Sequence, residues 1–253
     1  MIHPMSVNVN TRMRWTGMKS IPCLMHTANA RVLDLAAGLG FFSVELAKQG
    51  NIVLATDIHE QSLDYLRKSY GLQTQVLDLE ADTYPKGPFD IVLLCEVLEH
   101  LHSPENVVAK AATALAPGGT LVMTTPAMEG PLIHTPGKEL GHHHGTEKHE
   151  RDGFTKKELE DMARQAGLNI RGHRYCIFYG AELFMQATKL VYLLKKKEYS
   201  GQGDVVATMN SPFYKILRLI YPALHLGFLL EDAICNIFGA KGNCHIVWAE
   251  KAC

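Results

Sequence analysis

The segment Arg31–Phe42, RVLDLAAGLGFF, restricts the fold more than any other part of the chain. An apolar run too short for a helix carries one acid, Asp34, and gives way to glycines at 38 and 40. Phe41, Val44 and Ala47 then recur at helical spacing up to a stop at Gly50. A strand that turns through glycine into a helix is the opening unit of a parallel sheet. Its turn can cradle a dinucleotide, a phosphate or another nucleotide-like ligand, and the turn alone does not choose among them.

The alternation continues downstream. NIVLATD reads as a second strand ending at Asp57, and HEQSLDYLRKSYG as a helix with Leu63, Leu66 and Tyr70 on one side and Gly71 as its stop. TQVLDLE reads as a third strand carrying Asp78 and Leu79 at its end. Ile91–Cys95 is uninterrupted and apolar, which suits a fourth strand covered on both faces. Ser103 and Pro104 have the chemistry of an N-cap and first helical residue, with Val107, Val108, Ala111 and Leu115 following before APGG. TLVMTTP is the fifth strand, and Thr155 with Glu158 forms a capping-box pattern for a helix that closes at Gly167. NIRGHRYCIF and CHIVWAEK are two late strands, separated by helical sequence far longer than a hairpin uses. The expected architecture is therefore α/β and doubly wound, with a helical insertion between the last two strands. The expected units are an N-terminal helical cap over 1–30, the sheet domain over 31–179 and 243–253, and the insertion over 180–242.

Bulk properties exclude several functions. With 25 basic against 26 acidic residues and a net charge of -1, the chain has no general attraction for a phosphate backbone, so nucleic acid is not an expected partner. Six cysteines without a CxxC pair argue against a zinc module or disulfide scaffold and for a reducing cytoplasm. MIHPMSVNVNTRMRW lacks the apolar core of a secretory signal. The apolar stretch Ile216–Leu230 contains Arg218, Pro222 and His225 and is shorter than the roughly 20 apolar residues of a membrane span.

Four features bear on the ligand. Where a dinucleotide turn has its third glycine this chain has Ser43, and Asp34 would repel a diphosphate but welcome a cation. Asp57 can accept from ribose hydroxyls, a feature dehydrogenases share and one that does not discriminate between the ligands. Asp78 offers an acceptor for an adenine amino group beside the apolar Leu79, and EVLEHL, Glu96–Leu101, begins where the fourth strand opens into the cleft. S-adenosylmethionine, which carries an ammonium and a sulfonium and no phosphate, satisfies all four.

VLDLAAGLG, ATDI, LDLE, FDIVLLCEVLEHL and LAPGGTLVMTTP occur in the order and spacing of class I S-adenosylmethionine-dependent methyltransferases. The chain resembles most the branch that includes the ubiquinone and menaquinone biosynthesis enzymes, over Arg31 to about Gly167. The resemblance implies a mostly parallel, seven-stranded Rossmann-like sheet with CHIVWAEK as its antiparallel strand. It implies a cofactor site at Asp34, Ala36, Gly38, Gly40, Asp57, Ile58, Asp78, Leu79 and Cys95. Ala36 replaces the first glycine of the family's turn, and its methyl group fits if φ stays negative.

Candidate catalytic residues are Glu96 and His100, four positions apart on what reads as one face of a helical turn, and His149. An ordinary helix-stabilising pair is the alternative for Glu96 and His100. GKELGHHHGTEKHERDGF has donors in His142, His143, His144, His149, Glu139, Glu147 and Glu150, but no rigid His-x-x-x-His pair, so no metal site is expected. By resemblance this segment is part of a substrate lid, with His149 and Arg151 at the acceptor; a plain solvated loop is the alternative. In the insertion, Lys195–Lys197 beside Leu190, Val191 and Leu194, and Lys215 and Arg218 among aromatics, suit a lipid surface, while core or a homodimer seam is the other reading. The expected reaction is methyl transfer to a small organic acceptor, most readily at oxygen: a metabolite, a quinone precursor or a lipid- or sugar-linked compound. A catalytically silent binding or scaffolding protein and an NAD(P)-dependent oxidoreductase are the competing classes.

Overall fold

The computed structural model describes residues 3–25, 27–130, 150–194 and 212–253. A 3-10 turn, Pro4–Val7, leads into α1 (Val9–Met18), where the Asn8 side chain accepts from Thr11 N and caps the first turn, and then into the single turn α2 (Pro22–Met25). The alternating body follows: β1 (Arg31–Leu35), α3 (Phe41–Lys48), β2 (Ile52–Asp57), α4 (Glu60–Tyr70), β3 (Gln73–Val76), β4 (Phe89–Cys95), α5 (Pro104–Ala114) and β5 (Leu115–Pro126). It closes with α6 (Lys156–Gln165), β6 (Leu168–Cys176), α7 (Tyr179–Leu194), α8 (Pro212–Ile237) and β7 (Cys244–Lys251).

These strands form one sheet in the order β3-β2-β1-β4-β5-β7-β6. All neighbours are parallel except β7, which runs antiparallel to both β5 and β6, so the doubly wound sheet is the one the alternation implied, and its seven strands with one antiparallel are what the family resemblance implied. The order reverses at β1, with β2 on one side and β4 on the other. A crevice opens at the carboxyl ends of strands at such a switch point.

The continuous apolar strands are explained by burial on both faces. Leu33, Val92, Leu94, Leu121 and Val247 enter one core layer with Val107, Ala111 and Leu159, while Val32, Ile91, Leu93, Val122 and Ile246 enter the other with Met13, Trp15 and Phe41. Period-two alternation thus feeds two layers, and the N-terminal helix α1 closes the second. The helical insertion docks on that side through Ala181, Tyr221 and Phe228, buried in the same layer, and through polar bonds: Arg174 of β6 pairs with Asp232 of α8, and Glu231 Oε1 accepts from the backbone N of Gly180 at 2.7 Å.

Two expectations need correction here. β3 ends at Val76, opposite Asp57, so Asp78 and Leu79 lie beyond the ladder. The Asp78 carboxylate accepts from the backbone N of Glu80 and Ala81 at 2.9 and 3.1 Å, an aspartate turn that competes with further pairing. Ser103 does precede α5 with Pro104 at its first turn, but its hydroxyl makes no capping bond.

Candidate functional site

Asp34 sits one residue from the tip of β1, 1% exposed, beneath the glycine turn. Ser43 Oγ donates to it at 2.6 Å from the first turn of α3. Burial raises this carboxyl to about 7 against the pull of Ser43, and the nearby Asp57 adds to the rise. The group is thus poised to ionise when a cation arrives.

The turn itself is left-handed three times, at Ala36 (φ 58°), Gly38 (55°) and Gly40 (69°). The negative φ that would have suited Ala36 is not what the chain adopts. Stitching to β2 fixes the loop path instead: Ala37 N donates to Thr56 O at 2.8 Å, and Gly38 N to Asp57 Oδ2 at 2.7 Å. At Gly40 a Cβ would stand 2.5 Å from Leu66 Cδ1, so the close approach of α3 and α4 as well as φ demands glycine.

Above the turn the N-terminal segment closes a cavity of about 190 Å³. His3 is its latch. Its Nε2 lies 2.8 Å from Leu39 O and its Nδ1 accepts from Met5 N at 3.1 Å, which makes Nε2 the protonated nitrogen of the neutral ring. Met5, Asn8, Thr11 and Arg14 thereby line one wall, facing Asp34, Ala36 and Gly40, with Cys95 and Glu96 at the tip of β4 and Phe41 and Phe42 at the start of α3. Arg14 pairs with Glu96, and its Nε donates to Cys244 Sγ at 3.4 Å. Burial opposes the Arg14 charge, but Glu96 together with Cys244 and Cys176 more than restores it, so the guanidinium stays protonated. Glu96 Oε1 also accepts from Thr124 Oγ1 at 3.2 Å.

Of the cofactor candidates, Asp34, Ala36, Gly40 and Cys95 share this cavity, as does Glu96. Gly38 and Asp57 are not among its lining residues and are joined to each other by their hydrogen bond. Asp57 Oδ1 meanwhile accepts from His59 N at 2.9 Å, so each of its oxygens already holds one backbone bond and keeps a second lone pair. Ile58 is 58% exposed. Leu79 is buried in the core and Asp78 lies in its turn; neither lines the cavity.

Glu96 and His100 do not share a helical face. Glu96 leaves β4 with φ 54°, and the helix that follows is only the 3-10 turn Leu98–His100, so the four-residue spacing loses its meaning. The intervening Glu99 is the buried acid, 1% exposed, and desolvation with Glu96 beside it pushes its carboxyl well above the usual range. Arg151 binds the carbonyls of Leu101 and His102 at 3.2 and 3.4 Å and covers Phe154, which ties the segment after β5 to that 3-10 turn. His142, His143, His144, His149, Glu139 and Glu147 lie outside the described residues, as do Lys195–Lys197.

The residues missed from sequence are those of the N-terminal wall, Arg14 above all. NVNTRMRW has no apolar periodicity and no glycine, and nothing local marks one of its two arginines as bound for the cleft.

A methyltransferase-domain family profile matches residues 20–173. Over 99 residues the chain is 33% identical to a ubiquinone biosynthesis O-methyltransferase of Coxiella burnetii, spanning 37% of this chain and 42% of that one. A protein of the same description from Bordetella bronchiseptica is 34% identical over 161 residues, spanning 57% of this chain and 64% of that one. The chain thus spans less than two thirds of the length of either relative. Among solved structures, an S-adenosylmethionine dependent methyltransferase from Mesorhizobium loti superposes with a TM-score of 0.58 at 16% identity, covering 96% of this chain and 100% of that one. That likeness is one of fold.

Proposed function

The chain belongs to the methyltransferase-domain family, and on that footing we propose that it moves a methyl group from S-adenosylmethionine to the oxygen of a small organic acceptor. The observation that carries this reading is the buried carboxyl of Asp34 beneath the glycine turn, raised to about 7 and held by Ser43. The residues fit the cofactor: the acid Asp34 for its cationic groups, and Arg14, held by Glu96, for its carboxylate. Small residues at Ala36, Ala37 and Gly40 leave room beside the turn. We assign ribose binding to Asp57 with Ile58 beside it, and adenine binding to Asp78 and Leu79.

The bound cofactor supplies a methyl group already made electrophilic by its sulfonium. What remains for the chain is to align and desolvate the acceptor, which is where proximity supplies most of an acceleration. The N-terminal wall from Met5 to Arg14 performs the exclusion of water. His100 and His149 are the proposed bases for an acidic hydroxyl, a contribution of roughly 10²–10⁴-fold. The relatives' description supports a phenolic quinone precursor as acceptor. Glu96 serves as the acid that holds Arg14 in place. A dinucleotide oxidoreductase fits poorly, because its diphosphate would meet Asp34.

The experiment is calorimetric titration with S-adenosylmethionine, followed by detection of S-adenosylhomocysteine with catechol-type acceptors. Binding with turnover is expected. Absence of binding by the wild-type chain overturns the reading, and binding without product from any acceptor leaves the silent binding protein in its place.

A further inference from the structure

Helix α8 carries apolar side chains on the face that meets water as well as on the face that meets the protein. Its inner face is anchored by Tyr221 and Phe228, both buried in the core, and by polar bonds: Asp232, 8% exposed, pairs with Arg174, Glu231 binds the start of α7, and Asn236 Nδ2 donates to Tyr175 O at 3.3 Å. Its outer face is bare hydrocarbon, with Leu219 82%, Leu226 69%, Leu230 63% and Ile237 80% exposed. These positions, with Ala223 and Ile234 between them, follow three- and four-residue steps and make one stripe about 27 Å long. From Leu219 to Phe238 the only charged residues are Glu231 and Asp232, both turned inward. A contiguous apolar stripe of this kind marks an interaction surface.

Charge decides what covers it. Lys215 and Arg218 are exposed at one end of the stripe and Lys241 just past the other, with no described acid on the outer face. A second copy packed antiparallel would bring Lys215 and Arg218 against its partner's Lys241, and a parallel copy would bring each against itself. Either seam sets like charges together without a counter-ion. An anionic bilayer answers both features at once, taking the stripe into the acyl boundary and the cations at the headgroups. No described helix is long and apolar enough to cross a membrane, and the polar bonds of α8 to β6 and α7 keep it flat against the protein.

We propose that the outer face of α8 docks the protein in the plane of an anionic lipid surface. The inference stands on the helix alone and does not depend on the methyl-transfer reading, although an amphiphilic acceptor would reside in that same surface.

The test is co-sedimentation of the full chain with vesicles of phosphatidylcholine, with and without phosphatidylglycerol, alongside light scattering without lipid. The expected result is a monomer that sediments with the mixed vesicles and at least about tenfold less with phosphatidylcholine alone. The triple variant Leu219→Gln, Leu226→Gln and Leu230→Gln should lose binding by at least about tenfold. Lys215→Gln with Arg218→Gln should weaken it on mixed vesicles, both variants keeping the wild-type circular dichroism. Wild-type protein that stays in solution, a triple variant that binds as before, or a dimer that the triple variant dissociates each overturns the proposal, the last in favour of a second copy.

Discussion

Asp34 and Ala36 stand two residues apart, and each is a conflict that the local sequence hides. Ala36 occupies left-handed backbone, φ 58°, where an L side chain costs about 1–2 kcal/mol. Ala36→Gly should therefore stabilise the chain by about 1 kcal/mol, read as a higher urea midpoint, after the extra freedom of the unfolded glycine is set against it. An unchanged or lower midpoint would show that the methyl group packs well enough to offset the strain. At Asp34 the conflict is electrostatic. Because its folded value lies near 7 and above the usual 3.8, its contribution to stability is full below 3.8 and is lost as pH rises through about 7. Binding of a cationic cofactor needs the ionised form, so affinity for S-adenosylmethionine should fall by up to about tenfold for each pH unit below 7 and level off above it. Asp34→Asn should bind more weakly at pH 8, show no such slope and unfold at higher urea in the absence of cofactor. A slope that survives the substitution would assign the titration to another group. The acid was visible in sequence because an apolar strand has no other reason to carry one; the sign of φ at position 36 was not, since it depends on bonds to β2 that only the folded sheet supplies.

At the scale of elements, what was legible depended on whether the signal is local. Helix α6 announces itself by Thr155 and Glu158, and both halves of the capping box form: Glu158 N donates to Thr155 Oγ1, and Thr155 N to Glu158 Oε2 at 2.7 Å. Thr155→Ala should cost about 1 kcal/mol of stability in urea unfolding, and a loss within error of zero would mean the helix is held by Leu159 and Met162 alone. The strands β1, β4 and β5 were equally plain, being apolar enough to be buried on two faces. Elements that end for tertiary reasons were not. Strand β3 stops where β2 stops, and Glu96 turns out of β4 against Thr124 rather than starting a helix, neither of which leaves a mark on the residues concerned. Helix α5 is closed from a distance too: Lys251, on the last strand, donates to the carbonyls of Ala112 and Leu115 at 2.9 and 2.8 Å. Nothing near the end of α5 in sequence announces that cap.

Across the whole molecule, the histidines couple acid to unfolding and to the cavity wall. His3, His173, His225 and His245 are each lowered from 6.5, chiefly by burial, with His173 down to about 4. They tie distant parts together: His3 latches the N-terminal wall to Leu39, while His245 joins His173 on β6 to Glu129 after β5. The unfolded chain takes up these protons first, so the stability that the neutral rings support is complete above pH 6.5 and is lost as pH falls from there towards 4. The buried carboxyls act with the opposite sign over much of the same window, Asp34 raised to about 7, Asp232 to about 6 and Glu99 well above its usual range. The part owed to the histidines is read by difference: on going from pH 7.5 to pH 5 the urea midpoint of His173→Gln should shift less towards instability than that of the wild type. At His3 the same proton has a second effect, because an imidazolium Nδ1 can no longer accept from Met5 N, and the wall that carries Arg14 loses its fastening. Limited proteolysis near the N-terminus should accordingly speed up on acidification before global unfolding begins, and His3→Gln should be cut quickly at both pH values. Equal cleavage of the wild type at pH 5 and 7.5 would show that the burial of Met13, Trp15 and Met18 in α1 holds the wall shut without the latch.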